Sequence, residues 1–187
     1  MNPLLAVLGA VGTWPDWERF ADRSRRGLAV SFAALLGVFP AFWFVAKAYE
    51  AERARQLNSL EYEAEPLVFS VILGAWLLNF VLSAGVIAVV LRRTEQLGLW
   101  IMVRNWAVLL LSLALAAVFA VVQLTPLPFS VADGASFAAY LGLLPIDIRL
   151  AQRAGGFPLM SAILIGCVVV STSMMVFLGG TLLALQP

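Results

Sequence analysis

The sequence predicts an all-α integral membrane protein: a bundle of five transmembrane helices, the fourth of them short, preceded by a short interfacial amphipathic helix. Two observations predict this class. Of the 187 residues, 62% are hydrophobic and only 12% are charged, whereas charged residues make up about 25% of a soluble globular domain. The few charges also separate long uncharged stretches, and about 20 apolar helical residues cross the ~30 Å hydrocarbon core of a bilayer.

Residues 1–26 are expected to form an apolar lead followed by the interfacial helix. Thr13 suits the N-cap of that helix. Trp14 and Trp17 share one helical face with Phe20, while acidic and arginine side chains occupy the other, a pattern typical of a helix lying in the headgroup layer. We therefore expect both tryptophans to anchor the chain at the membrane surface. The alternative is an ordinary polar lead-in to the first span.

Residues 27–187 are expected to form the membrane bundle. The segment "TPLP", residues 125–128, ends the third span because two prolines cannot continue a helix. The pair Gly155 and Gly156 separates the fourth span from the last. The predicted spans cover approximately residues 27–47, 66–91, 97–124, 133–150 and 157–185.

The assignment of the fourth span rests on the placement of charged residues as well as on length. Its uncharged stretch, residues 134–146, is short for a span. If it crosses, the basic residues gather on one side of the membrane, which the positive-inside rule makes cytoplasmic. The N-terminus is then cytoplasmic and the C-terminus periplasmic. The cytoplasmic side carries most of the arginines, and the opposite side carries only Lys47, Arg53 and Arg55.

Four stretches together resemble a known family. They are the tryptophan-bearing lead-in, "SFAALLGVFPAFWF" in the first span, "VRNWAVLLL" in the third, and "AAYLGLLPIDIRLAQRAGG" before the last. Over roughly residues 14–182 the chain resembles small bacterial inner-membrane proteins related to the Yip (Ypt-interacting protein) family. The resemblance implies five membrane helices and a bacterial inner membrane. The "DLYGP"-type motif of the eukaryotic members is absent, so their link to small GTPases does not carry over.

Small residues at a spacing of four predict a packing face on the first span. In lipid there is no hydrophobic driving force for helices to associate, so they depend on close van der Waals packing. Small residues permit that close approach. Pro40 should kink the same helix. Whether this face packs within the chain or against a partner is open. The face consists of Ala29, Ala33, Gly37 and Ala41.

A few polar residues lie at membrane depth, where polar groups are usually functional or paired. Asn79 lies near the middle of the second span and Ser83 one turn further on. Ser171, Thr172 and Ser173 form a cluster in the last span. Hydrogen bonds between helices and a polar site on a substrate path are the two interpretations.

Arg104 lies in the stretch "GLWIMVRNWAVLLL", roughly 10 Å along the third span from Leu97. Three interpretations are open. The arginine reaches back to the headgroups, with Trp100 and Trp106 in an interfacial belt; it pairs with Asp147, which lies at a similar depth in the fourth span; or it is a functional charge in a pore. The second interpretation predicts an ion pair that joins the third and fourth helices.

Catalysis has little basis in this sequence. The chain has no histidine, and its one cysteine, Cys167, lies in an apolar run. Common metal-binding, nucleophilic and phosphate-binding motifs are absent. We therefore expect neither an enzyme nor a cofactor. The net charge of +1 argues against nucleic acid as a partner.

The predicted function is a non-catalytic accessory, scaffold or assembly subunit of a larger membrane protein complex, whose partners are the lipid bilayer and other membrane subunits. The segment "AYEAERARQLNSLEYEAEP", residues 48–66, is either a docking surface or an outward extension of the first helix. A small membrane transporter, channel or lipid-handling protein is the alternative function.

Overall fold

The computed structural model describes residues 2–12, 14–57 and 65–184, the last four of these for their backbone alone. Within these ranges the regular elements are all helices. They are α1 (Pro3–Val11), a short 3-10 helix (Trp17–Phe20), α2 (Arg25–Leu36), α3 (Val38–Leu57), α4 (Pro66–Val90), α5 (Thr94–Leu124), α6 (Ser130–Arg153) and α7 (Leu159–Ala184).

Five helical segments are long and apolar enough to cross a membrane, which confirms the predicted fold class. The first combines α2 and α3 as Arg25–Gln56, and the others are Pro66–Val90, Thr94–Leu124, Ser130–Arg153 and Leu159–Gly180. The bundle is that of a multi-pass membrane protein.

The fourth helix is not short, which corrects one expectation. α6 has 24 residues and continues past both aspartates that bound its uncharged stretch. A carboxylate does not end a helix by itself. Asp133 lies in the first turn of α6, where the helix dipole favours a negative charge, and Asp147 faces an arginine of α5.

The hydrogen-bonded helix of the first membrane segment is interrupted near the expected proline. α2 ends at Leu36 and α3 begins at Val38, so the break lies at Gly37, three residues before Pro40. Proline has no N–H, and the carbonyl of Leu36 therefore loses its helical partner. The Gly37 N–H bonds to the Ala34 carbonyl at 3.0 Å, which tightens the last turn of α2. Beyond this break α3 continues to Leu57, so the first helix extends into the predicted segment as far as that residue. Its position outside the membrane stays a prediction.

The N-terminal helix lies earlier in the chain than expected. The apolar lead itself forms α1, with Pro3 in its first turn and Asn2 as the N-cap, whose side chain accepts a bond from the Leu5 N–H at 3.2 Å. The predicted amphipathic stretch contains only the 3-10 turn Trp17–Phe20. Asp16, before it, has a left-handed backbone with φ 52°, which interrupts any continuous helix there. Thr13, the predicted cap, lies outside the described residues.

α5 is the central helix of the bundle. It packs against α1, α2, α3, α4 and α6, while α7 packs against α4 and α6. The largest apolar core lies at the end of the bundle that carries α1, here called the α1 end, and includes Phe80, Trp100 and Leu150. A smaller core at the opposite end includes Phe119 and Ala132.

The predicted small-residue face of the first span packs within the chain only in its second half. Ala29 and Ala33 are exposed, whereas a β-carbon on Gly37 would lie 3.0 Å from Leu109 Cδ1 of α5, and Ala41 is buried. The stripe that faces α5 and the core is mostly a different one. Its buried members are Ser31, Leu35, Val38, Ala41, Val45 and Ala48. The face that the helix turns toward α5 is determined by larger apolar side chains and a buried serine. It is not determined by small residue size alone. Packing of Ala29 and Ala33 against a partner stays a prediction.

Candidate functional site

The ion pair expected between the third and fourth spans is present at the α1 end. Arg104 of α5 donates from Nε to Asp147 Oδ1 of α6 at 3.2 Å. Both residues are only 2% exposed. The interpretation in which Arg104 reaches back to the headgroups is therefore wrong, because its side chain is enclosed by other helices.

Two aromatic rings of α4 complete the surroundings of the arginine. The guanidinium carbon of Arg104 lies 4.4 Å from the centroid of the Phe80 ring and 5.6 Å from that of Trp76. Cations are stabilised at such distances over aromatic rings, most strongly where water is excluded. Three helices thus meet at one buried charge, and the second oxygen of Asp147 has no hydrogen-bond partner among the described residues.

The predicted tryptophan anchors divide into two groups. Trp100 is 1% exposed and Trp17 3% exposed, so neither lies at a membrane surface. The Trp100 ring instead packs edge-to-face on Phe80 and Phe157, with centroid distances of 5.6 and 5.5 Å. These rings fill the core near the ion pair. Trp14 is exposed and Trp106 half-buried, so their anchoring role stays a prediction.

The intramembrane polar residues partly meet as expected. Asn79 of α4 donates to Thr172 Oγ1 at 3.1 Å and to Ser173 Oγ at 3.2 Å, which joins α4 to α7. Ser83 is half-buried and lies outside this group, and Ser171 is exposed on the outer face of α7. Asn79, Thr172 and Ser173 thus form the hydrogen bonds between helices that one of the two interpretations predicted.

Two polar contacts were missed by sequence reasoning. Asn105 donates to Ser31 Oγ at 3.2 Å, which joins α5 to α2 in the buried interior. Arg153, at the end of α6, donates to the backbone carbonyls of Gly12 at 2.9 Å and Trp14 at 2.5 Å. Arg153 thereby holds the N-terminal segment against the bundle. No sequence signal identifies these partners, since one depends on helix rotation and the other is a backbone group.

A large apolar cavity, partly open to the surroundings, lies between the helices. Its volume is about 470 Å³, and each helix from α3 to α7 contributes to its wall. One representative residue from each helix in turn is Val45, Phe69, Leu111, Ala139 and Phe177. This volume falls within the range of about 300–1,000 Å³ that is typical of small-molecule sites in proteins.

The cavity has one polar end and one apolar end. At the polar end the Tyr49 hydroxyl donates to Ser136 Oγ at 3.1 Å, and the Tyr49 ring packs against Phe119 and Phe129 near the end of the bundle opposite α1. Toward the α1 end the wall includes Trp76, whose ring also contacts Arg104. One aromatic side chain therefore lies between the cavity and the buried charge.

Within the described ranges, no group of three or more His, Cys, Asp or Glu side chains is placed to hold a metal ion. Among the described residues, the interior contains the ion pair Arg104–Asp147, a few amide and hydroxyl hydrogen bonds, and a large apolar space.

The fold and this interior define a multi-pass α-helical membrane protein with an apolar cavity between its helices. No protein-family model matches the chain, and no curated protein or solved structure matches it either. The Yip resemblance therefore stays a prediction.

Proposed function

We propose that this protein is a non-catalytic membrane protein that binds a lipid-like molecule of the bilayer in the cavity between its helices. The observation that carries the proposal is the apolar cavity of about 470 Å³ bounded by α3 to α7. This is the lipid-handling function that the sequence offered as an alternative.

The wall of the cavity is mostly apolar. Apolar atoms in close contact attract one another by dispersion, which is weak for each pair and large when summed over many pairs. Apolar space of this kind does not hold water well, because water needs several polar partners. The helices that bound the cavity are long enough to cross a bilayer, so hydrocarbon chains are the molecules nearest to it. An apolar chain that enters the cavity makes these contacts with its wall.

The accessory-subunit function stays as a second proposal. It is supported by the outward-facing Ala29 and Ala33 of α2, since small exposed residues permit a second helix to approach closely. The two proposals are compatible, because a subunit of a complex can also hold a lipid. A bacterial inner membrane with a cytoplasmic N-terminus is part of the proposal.

The test of lipid binding uses two neighbouring alanines of α6. Ala139 lines the cavity, whereas Ala138 is exposed on the outer face. Ala139→Phe should fill part of the cavity and displace bound lipid, and Ala138→Phe should not. Both proteins are purified in mild detergent, and the lipid that stays bound to each is measured by native mass spectrometry.

The expected result is lipid bound to the wild type and to Ala138→Phe, with a several-fold loss in Ala139→Phe. Thermal unfolding of all three proteins in the same detergent checks that the fold is retained. Equal lipid retention in the two variants would contradict the proposal, since a ring placed in the cavity would then have displaced nothing.

A further inference from the structure

The lining of the cavity carries information about the ligand. We infer that the cavity takes an uncharged, unsaturated amphiphile, an isoprenoid chain with a hydroxyl or carbonyl head, rather than a phospholipid. The inference rests on the proposed function, and it adds the chemical class of the ligand and its direction in the cavity.

Charge is the first argument. Among the described residues that line the cavity there is no lysine or arginine, and the one charged side chain is the carboxylate of Glu65. A phosphate group is an anion that proteins hold with arginine, lysine or several backbone N–H groups. A phospholipid head drawn into this cavity would meet a carboxylate and no lining cation, and a neutral head avoids this repulsion.

Aromatic content is the second argument. Six of the twenty described residues that line the cavity are aromatic, whereas aromatic residues make up 11% of the chain. They are Phe42, Tyr49, Phe69, Trp76, Tyr140 and Phe177. Flat rings pack well against flat, sp²-rich groups, in offset or edge-to-face arrangements. Isoprenoid double bonds and quinone rings are flat, whereas a saturated acyl chain gains nothing specific from rings over aliphatic side chains.

The hydroxyl pair gives the direction. Tyr49 donates to Ser136 at 3.1 Å, and two hydroxyls together supply a donor and acceptor sites. A neutral hydroxyl or carbonyl head can join this pair. The chain would then extend toward Trp76, in the part of the cavity wall that faces Arg104. The polar head lies at the end of the bundle opposite α1.

The experiment measures equilibrium binding to the full-length protein in detergent micelles. The probes are a prenylquinone with two isoprene units, farnesol, and lysophosphatidylglycerol, each titrated separately by native mass spectrometry. The prenylquinone or farnesol should bind at least about tenfold more tightly than lysophosphatidylglycerol.

Variants test the assigned contacts. Tyr49→Phe and Ser136→Ala each remove one hydroxyl and should weaken binding of the neutral probes by roughly 2- to 10-fold, the size of one hydrogen bond. Ser171→Ala is the matched control, because Ser171 is exposed on the outer face of α7, and it should leave binding unchanged. Glu65→Gln should narrow the gap between neutral and anionic probes.

The outcomes separate this inference from the proposed function. If Ala139→Phe displaces lipid but lysophosphatidylglycerol binds as tightly as the neutral probes, the ligand class is wrong and lipid binding stands. Neutral binding that is unaffected by both hydroxyl variants overturns the assigned direction. If no probe binds and Ala139→Phe displaces nothing, both ideas fail.

Discussion

At the scale of single residues, the most informative feature is the pair Arg104 and Asp147. An isolated charge inside a membrane protein is costly, and it persists where a partner and other polarisable groups surround it. Here the partner is on α6, and the rings of Trp76 and Phe80 on α4 provide the rest. The pair therefore joins three helices.

Removing one partner of the pair should cost more than removing both. Asp147→Leu alone leaves the arginine buried without its carboxylate and should destabilise the protein by about 3–5 kcal/mol. The double change Arg104→Met with Asp147→Leu removes both charges and should recover much of that loss. The measurement is unfolding in detergent, followed by a double-mutant cycle.

Arg149→Met is the matched control for that cycle, because Arg149 lies on the same helix but is exposed. An exposed substitution of this kind should change stability by less than about 0.5 kcal/mol. If the double variant loses as much as the two single losses combined, the two side chains do not interact and the pair has no energetic role.

The ion pair could be predicted from the sequence because helix length and charge position determine depth. Arg104 and Asp147 come to the same depth once α5 and α6 are antiparallel neighbours. The bond between Asn105 and Ser31 could not be predicted in this way. Depth alone does not identify it, because the rotation of α2 about its own axis decides whether Ser31 or Ala33 faces α5. That rotation results from packing over the whole helix.

At the scale of helices, α6 and α7 make a close crossing at Gly166. A β-carbon placed on Gly166 would lie 2.5 Å from Ile148 Cγ1 and 3.2 Å from the Ile148 backbone nitrogen. The helices are therefore in contact at a position where only glycine fits without a shift. A β-carbon placed on Gly179, further along α7, would have no other atom within 4 Å.

This difference gives a matched pair of substitutions. Gly166→Leu should push α7 away from α6 and destabilise the protein by about 1–3 kcal/mol. Gly179→Leu has the same effect on helix propensity, which favours leucine over glycine, but its β-carbon meets no other atom within 4 Å. Thermal unfolding in one detergent compares the two. Equal midpoints would show that the close crossing is not maintained in the folded protein.

Length and charge patterns identified the membrane helices but not all of their ends. The fourth helix is longer than expected because its aspartates lie within it. The predicted amphipathic N-terminal helix is replaced by α1, which forms from the apolar lead. The helical pattern placed Trp17 on the membrane-facing side of an amphipathic helix, but its side chain is buried beneath α1. The helical pattern of one segment does not show which other helix packs over it.

At the scale of the whole molecule, five crossings place successive loops on alternate sides of the membrane. The loop at Arg92 and Arg93 and the end of α3 at Gln56 should therefore be on opposite sides. The basic residues near the α1 end predict that this end is cytoplasmic.

Cysteine labelling tests that orientation. Cys167→Ser removes the one native cysteine, and Gln56→Cys or Arg93→Cys is then introduced. A membrane-impermeant maleimide should label Gln56→Cys in intact spheroplasts and Arg93→Cys only after the membrane is opened. The reverse pattern would invert the topology, and labelling of both positions in intact spheroplasts would contradict an odd number of crossings between them.

The buried ion pair also has a consequence for biosynthesis. Arg104 precedes Asp147 by 43 residues, and ribosomes add about 5–20 residues per second, so the arginine waits roughly 2–9 s for its carboxylate. An unpaired arginine costs about 2.5–3.5 kcal/mol at the centre of a membrane helix, and somewhat less at the depth of Arg104. Release of α5 into lipid is thus unfavourable until α6 has been made. The two helices should leave the insertion machinery together, as one hairpin.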